Sequence, residues 1–226
     1  MKKNIAHIIT LTSLCIAILS IIESCNFNLT IGSFLILICF VLDSIDGTMA
    51  RYLNSDSEFG KQLDSFSDMI AFGIAPGILM YNFLYLQFEN TTLPYISLLI
   101  PICSSLRLAN YNIDINQKKD FLGLATPVSA ILFASIPLIY QYENSSVILT
   151  IITNQWIISL LIVITSILLI SQLKTFSLRL DSIKNDKRKL FFIFISICIL
   201  SIFNFTGLPI VILIYILLSV AKSMNQ

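Results

Sequence analysis

Long runs of apolar residues limit this chain to a narrow set of folds. The stretches 31–42, 156–173 and 190–203 contain no Asp, Glu, Lys or Arg. A helix of about 20 apolar residues crosses the hydrocarbon core of a bilayer, which is about 30 Å thick. Only 12% of the residues are charged, whereas a soluble domain usually has about 25%. The sequence therefore predicts an all-α, polytopic membrane helical bundle.

Eight membrane spans are predicted, with short connections between them. They cover residues 4–22, 31–50, 64–87, 94–112, 125–141, 156–173, 190–205 and 207–222. We expect the first span to be retained rather than cleaved as a signal peptide. The prediction is a single membrane domain over residues 1–226, with a six-helix core at about 1–175 and two additional C-terminal helices at about 190–222.

The basic residues predict the orientation of the bundle. If both termini are cytoplasmic, all 14 Lys and Arg residues fall in cytoplasmic segments, and outer loops such as QFENTT contain none. This is the pattern of the positive-inside rule. It places residues 51–63 on the cytoplasmic side of the inner membrane. Segment 174–189 holds six basic residues, which fits attraction to anionic lipid.

Four aspartates lie where this pattern predicts membrane helices. On the second span an acidic stripe has the spacing i, i+3, i+4, i+7 and consists of Asp43, Asp46, Gly47 and Ala50. Asp64 and Asp68 share one face of the third span because they are four residues apart. The second and third spans are antiparallel neighbours, so the two acidic stripes are expected to face each other.

Facing carboxylates repel in a low-dielectric site and need either protons or cations. Hard divalent cations with oxygen ligands meet this need, and two bridged metals serve phosphoryl chemistry. Small residues such as Gly47, Ala50 and Gly60 let a ligand or a helix approach the backbone. The alternative, polar residues solvated at helix ends, suits Asp56 and Glu58 better than Asp43, because intramembrane ionisable groups are usually functional.

The acidic stretch also matches a family signature. The string Asp43-x2-Asp46-Gly47-x2-Ala50-Arg51-x8-Gly60-x3-Asp64-x3-Asp68 resembles that of the CDP-alcohol phosphotransferases. The resemblance implies a helical membrane fold, two divalent cations (Mg²⁺ or Mn²⁺) and a CDP-activated donor. It also implies transfer of a phosphatidyl group to an acceptor hydroxyl with release of CMP, and a homodimer.

The same resemblance implies roles for single residues. Asp43, Asp46 and Asp64 would be metal ligands. Asp68 would be both a metal ligand and the general base. The CDP pocket would be lined by Gly47, Ala50, Arg51 and Gly60.

The acceptor is indicated by three further runs. DMIAFGIAPG after Asp68, SSLRLANYN at 104–112 and FLGLATP at 121–127 resemble the branch of the family that makes phosphatidylserine. This implies CDP-diacylglycerol and L-serine as substrates. Asn110 and Ala125 depart from that branch, where a second basic residue and a proline are common. Another acceptor, such as glycerol 3-phosphate or inositol, therefore stays open.

Four residues are weaker candidates for binding the acceptor or a phosphate: Arg107, Asn112, Lys174 and Arg179. Arg107 lies near a helix end, where snorkelling to the interface and a bidentate contact to a carboxylate or phosphate are both open. A channel or transporter would need acidic groups at several depths, whereas these aspartates cluster at one end. The expected partners are the two substrates and membrane lipid, with no nucleic acid.

Overall fold

The computed structural model describes residues 2–52, 57–88, 92–113, 121–175 and 187–224, with the side chains of 2–6, 50–52, 121–122, 174–175, 187–190 and 221–224 excepted. The helices are α1 (Lys2–Cys25), α2 (Leu29–Tyr52), α3 (Glu58–Asp68), α4 (Ala75–Gln87), α5 (Leu99–Ile113), α6 (Thr126–Tyr142), α7 (Ser146–Ile152), α8 (Gln155–Ile170), α9 (Lys187–Phe203) and α10 (Gly207–Met224). A π-helical segment (Met69–Ile74) joins α3 to α4, and 3₁₀ turns precede α5 (Leu93–Leu98) and α10 (Asn204–Thr206).

Small residues let α1 and α2 pack closely. Ser13, Ala17, Ser20 and Ser24 form a buried stripe on α1. The Ser20 hydroxyl donates to the Gly32 carbonyl of α2 at 2.8 Å. A Cβ atom at Gly32 would lie 2.5 Å from Ser24 Oγ. Such small-residue contacts take the place of a hydrophobic driving force between helices in a membrane. They fix the position of α2, which carries two of the four aspartates.

The connection between α2 and α3 is shorter than the sequence predicted. Helix α3 begins at Glu58 because the Ser57 side chain caps it, accepting a hydrogen bond from the Gly60 backbone at 3.0 Å. Capping by serine satisfies a backbone donor that the first turn of a helix leaves free. The third span therefore begins six residues earlier than expected, and Asp64 lies within the helix rather than at its start.

A two-residue strand pairing holds the connection before α6 against the end of α8. Phe121–Leu122 (β1) pairs antiparallel with Lys174–Thr175 (β2). Gly123 has φ +76°, and a Cβ atom there would lie 2.5 Å from the Leu169 carbonyl oxygen. Its backbone N–H donates to the Leu173 carbonyl at 2.8 Å. Glycine is needed here both for its left-handed backbone and for the close approach.

The last two helices form a hairpin. The Phe192 and Tyr215 rings lie 6.2 Å apart, although 23 residues separate them in the chain. Asn204 has φ +49° at the reversal. Phe205, at the tip, contacts Phe34 of α2 and Tyr142 of α6. The tip therefore lies at the opposite end of α2 from the aspartates.

The predicted fold class is confirmed: the chain is a polytopic helical membrane protein. Within the described ranges, five helical stretches are long and apolar enough to cross a membrane, or six if α7 and α8, bent by 61°, count as one broken span. One of the five, Phe191–Val220, contains the hairpin reversal. The count of eight spans and the cytoplasmic placement of both termini stay predictions.

One predicted connection contains a short helix. The predicted spans 125–141 and 156–173 leave residues 142–155 between them, and α7 occupies Ser146–Ile152 there. Ile152 is buried, and burial of its apolar side chain stabilises this short helix. The polar residues on either side made the helix hard to predict from the sequence.

Candidate active site

Three of the four aspartates come together where α2 and α3 meet. Asp43, Asp64 and Asp68 each offer a carboxylate oxygen, and these oxygens all lie within 4.8 Å of one another. The side chains of Asp43 and Asp68 interact with each other. The side chains come from two helices, as the facing acidic stripes predicted. We call these three residues the aspartate cluster.

Asp46 lies beside the aspartate cluster but is held separately. It is 5% exposed, and its Oδ2 accepts a hydrogen bond from Thr10 Oγ1 of α1 at 2.9 Å. It interacts electrostatically with Asp43, Asp64 and Asp68. A hydrogen bond to a buried carboxylate is strong and directional, so Thr10 fixes the orientation of Asp46.

Helix α1 supports both acidic helices. Ser67 of α3 donates to the Thr10 carbonyl at 3.4 Å, while the Thr10 side chain binds Asp46 of α2. One residue of α1 therefore contacts α2 through its side chain and α3 through its backbone. Thr10 could not be identified from the sequence, because it lies 36 residues from its partner Asp46. The spacing of neighbouring residues does not show such a contact.

The π-helical segment begins directly after Asp68. The Ala75 N–H donates to the Ile70 carbonyl, five residues back. In a regular α-helix the backbone N–H of residue 76 would donate to the Phe72 carbonyl, four residues earlier. Pro76 has no N–H and cannot form this hydrogen bond. π-helical insertions are frequent at functional sites. Here the change in helix type separates the acidic helix α3 from the apolar core helix α4.

The residues predicted for the CDP pocket lie near the aspartates, as far as they are described. Gly47 follows Asp46 on α2. Ala50 and Arg51 belong to α2, but their side chains lie outside the described residues. A Cβ atom at Gly60 would lie 2.8 Å from the His7 ring and 3.1 Å from Ser57 Oγ. The structure places the ring of His7, on α1, against Gly60.

Arg107 is buried on the inner face of α5. It is 8% exposed, and its Nη1 donates to Thr126 Oγ1 at 3.3 Å. Its Nε has no hydrogen-bond partner among the described residues, and the guanidinium interacts electrostatically with Asp68. Burial of a cation with a free donor is costly. Of the two alternatives left open for Arg107, the structure places the guanidinium inside the protein rather than snorkelling to the interface.

The other weak candidates are placed differently. The Asn112 amide donates to Ser65 Oγ at 2.9 Å, which links α5 to α3 next to Asp64. Lys174 pairs with Leu122 through its backbone, and its side chain lies outside the described residues. Arg179 also lies outside them.

The aspartate cluster fits a divalent cation. Two oxygens on opposite sides of such an ion are about 4–5 Å apart, because each lies about 2.0–2.6 Å from the metal. The 4.8 Å spread of the three carboxylate oxygens is within that limit. Carboxylates are the ligands that Mg²⁺ and Mn²⁺ prefer. Asp43, Asp64 and Asp68 could hold an ion, with Asp46 beside them.

Comparison with known proteins gives a consistent result. The family model described as CDP-alcohol phosphatidyltransferase matches residues 3–167. A CDP-diacylglycerol–serine O-phosphatidyltransferase of Helicobacter pylori is 31% identical over 128 residues, covering 56% of this chain and 54% of that protein. The protein of the same name from Methanocaldococcus jannaschii is 37% identical over 114 residues, covering 50% and 54%.

An archaetidylserine synthase of Methanothermobacter thermautotrophicus is 36% identical over 134 residues, covering 57% of this chain and 55% of that protein. The chain spans about half the length of these curated relatives. The family model covers most of the chain, including all four aspartates and Arg107. The chain belongs to the CDP-alcohol phosphatidyltransferase family.

Proposed function

We propose that this chain transfers the phosphatidyl group of CDP-diacylglycerol to the hydroxyl of L-serine, giving phosphatidylserine and CMP. The observation that carries the proposal is the meeting of three carboxylates from α2 and α3 within 4.8 Å, in a chain of this family. The names of the relatives support serine as the acceptor. Since the chain spans about half of their length, the activity is inferred from the site itself.

The four aspartates are proposed to hold two divalent cations, Mg²⁺ or Mn²⁺. When bound, these ions neutralise the buried carboxylates and stabilise negative charge on the diphosphate of the donor. Asp43, Asp64 and Asp68 would supply the clustered oxygens. Asp46, oriented by Thr10, would supply a further ligand. A ligand fixed by a second residue holds its geometry through turnover.

Asp68 is proposed as the general base. The serine hydroxyl is a weak nucleophile at neutral pH and needs a base within hydrogen-bond reach. Asp68 takes the hydroxyl proton while the serine oxygen forms a bond to the phosphorus of the phosphatidyl group. The bond from that phosphorus to the bridging oxygen breaks, and CMP leaves with the electron pair.

Arg107 is proposed to bind the serine carboxylate. The guanidinium is buried, its Nε has no partner in the part of the chain that the structure describes, and it interacts electrostatically with Asp68. An arginine with free planar donors matches a carboxylate. Asn112 would help to place the acceptor through Ser65, and Lys174 and Arg179 stay weaker candidates for phosphate contacts.

The CDP moiety is proposed to lie over Gly47, Ala50, Arg51 and Gly60. At Gly60 the atoms nearest to the position of a Cβ atom belong to the His7 ring and to Ser57. We further propose a homodimer in the cytoplasmic (inner) membrane, with the active site facing the cytoplasm. There a water-soluble acceptor and a membrane-bound donor can both reach the aspartates.

An acceptor panel tests the proposal. Purified full-length protein in detergent is mixed with CDP-diacylglycerol and Mn²⁺, and CMP release is measured with L-serine, glycerol 3-phosphate or inositol. We expect release with serine at least about 100-fold faster than with the others, since a polar site rejects an acceptor that leaves its buried groups unpaired. Equal release with all three acceptors, or release only with another acceptor, would refute serine as the substrate.

A further inference from the structure

Two contacts fix how α5 runs past the aspartate cluster. At one end, the Asn112 amide donates to Ser65 Oγ of α3 at 2.9 Å. At the other end, a Cβ atom at Gly73, in the π-helical segment, would lie 3.2 Å from Ser104 Cβ. The later residue of α5 thus meets the earlier residue of its neighbour. Helix α5 therefore runs antiparallel to the stretch that carries the proposed general base.

Arg107 lies between these two contacts, three residues after Ser104 and on the same face of α5. Both side chains are buried. The Arg107 Nε and the Ser104 hydroxyl have no hydrogen-bond partner among the residues that the structure describes. Buried donors of this kind are rare unless a ligand, an ion or water completes them. Two such donors on one face fit the anionic group of an acceptor.

The guanidinium is held from α6. Arg107 Nη1 donates to Thr126 Oγ1 at 3.3 Å, its one side-chain hydrogen bond within the described ranges. A guanidinium with a single partner can rotate about its side-chain torsions. The position of the Thr126 oxygen therefore decides where the remaining donors of Arg107 point.

Thr126 itself is held in place. It is fully buried and is the first residue of α6. Just before it, the Leu124 N–H donates to the Leu168 carbonyl of α8 at 2.9 Å. Just after it, the Ser129 hydroxyl donates to the Thr126 carbonyl at 2.9 Å. Threonine is β-branched, which restricts its first side-chain torsion. The hydroxyl oxygen is therefore a fixed acceptor for the arginine.

We propose that Thr126 is a positioning residue, which orients the Arg107 guanidinium toward the anionic group of the acceptor. With Nη1 on Thr126, the edge formed by Nε and Nη2 is left to bind both oxygens of a carboxylate. This inference rests on the proposed function, in which that carboxylate belongs to L-serine. It adds to that function the residue through which the arginine keeps its orientation.

Replacement of one hydroxyl tests the proposal. Thr126→Val keeps the shape of the side chain but cannot accept a hydrogen bond from Arg107. In T126V we expect the KM for L-serine to rise about 10-fold, since hydrogen bonds to charged groups have this weight. The KM for CDP-diacylglycerol should not change, because Thr126 acts on the acceptor alone.

Further variants separate orientation from packing. Thr126→Ser keeps the hydroxyl, so its KM for serine should stay near the wild-type value. Thr165→Val is the matched control, because Thr165 is also buried but donates to the Leu161 carbonyl of its own helix at 2.7 Å. T165V should match the wild type. If T126V yields no folded protein, Thr126→Ala carries the same comparison, since water can then accept from the cation without fixing its orientation.

Three results would overturn the inference: an unchanged KM for serine in T126V, an equal rise in the KM of both substrates, or a rise of the same size in T126S or T165V. A wild-type protein that uses glycerol 3-phosphate and not serine would instead refute serine as the substrate. T126V measured with that acceptor would then still decide the role of Thr126, since Arg107 would face its phosphate. A wild-type protein that uses only inositol, which has no anionic group, would refute both.

Discussion

At the scale of single residues, polar groups of α1 contact the two helices that carry the aspartates. Thr10 orients Asp46 through its hydroxyl and accepts from Ser67 through its carbonyl. His7 lies against Gly60. The four aspartates could be predicted from their spacing, because helical periodicity places such residues on shared faces. Thr10 and His7 could not, because their contacts depend on how α1 packs against α2 and α3.

Thr10→Val should weaken metal binding. Valine has nearly the shape of threonine but cannot donate to Asp46. Loss of a residue that orients a metal ligand typically costs about 10–100-fold in metal affinity or activity. In a Mn²⁺ titration of CMP release, we expect the half-saturating concentration to rise by at least about 10-fold.

Thr12→Val is the control for this change. Thr12 is exposed, and its hydroxyl bonds to the Ile8 carbonyl of its own helix at 2.8 Å. T12V should leave the Mn²⁺ requirement unchanged. If T10V and T12V raised the half-saturating Mn²⁺ concentration equally, the cause would be the loss of any hydroxyl from α1. The hydrogen bond from Thr10 to Asp46 would then not explain the change.

Gly60→Ala should destabilise the protein through a contact with His7. The new Cβ would lie 2.8 Å from the His7 ring, and overpacking of this kind costs about 1–3 kcal/mol. His7→Ala should relieve it, so the double variant should melt at a higher temperature in detergent than G60A alone. A double variant that melts no higher than G60A would contradict the contact.

At the scale of elements, the chain departs from regular helix at two places. The π-helical segment follows Asp68, and α7 and α8 are bent by 61°. The run AFGIAPG contains the glycine and proline that permit the π-helical segment, but its type could not be predicted. Several backbone arrangements accommodate a proline, and the surrounding packing selects among them. Apolar runs predicted where helices occur, but not where they bend.

Gly123→Ala should loosen the connection between α6 and α8. Alanine is strained at φ +76°, and its Cβ would lie 2.5 Å from the Leu169 carbonyl oxygen. We expect the free energy of unfolding to fall by about 1–3 kcal/mol or more, because backbone strain and overpacking both contribute. Thermal unfolding in detergent measures this loss.

Gly207→Ala provides a comparison for G123A. Its Cβ would lie 3.1 Å from the Ile199 carbonyl oxygen, and Gly207 has an ordinary helical backbone, with φ −63°. The melting temperature should therefore fall less in G207A than in G123A. A larger fall in melting temperature in G207A than in G123A would mean that the backbone at Gly123 is not the more tightly constrained of the two.

At the scale of the whole molecule, charge and apolar length predicted the architecture. All 14 basic residues fall on one predicted side, and the fold class is confirmed. The position of α10 was not predictable, because this helix has no distinctive motif and its place follows from packing against α6 and β2. The sequence thus predicted which aspartates come together better than which residues pack around them.

Cysteine labelling tests the predicted orientation. The five native cysteines, all free in the structure, are first replaced by serine. Single cysteines are then placed at Glu58, at the start of α3, or at Asn144, between α6 and α7; both positions are exposed. The positive-inside rule puts Asn144 outside. A membrane-impermeant maleimide added to intact cells should label N144C and spare E58C, and the opposite pattern would invert the orientation.

The most direct test of the aspartate cluster is CMP release by Asp68→Asn, compared with Glu58→Gln. Both changes remove one negative charge from α3, but Glu58 is exposed and lies outside the cluster. With CDP-diacylglycerol, L-serine and saturating Mn²⁺, D68N should lose about 10²–10⁴-fold in rate, the usual contribution of a general base. E58Q should remain within about twofold of the wild type. A D68N enzyme that releases CMP as fast as E58Q would contradict the role of Asp68 as the catalytic base.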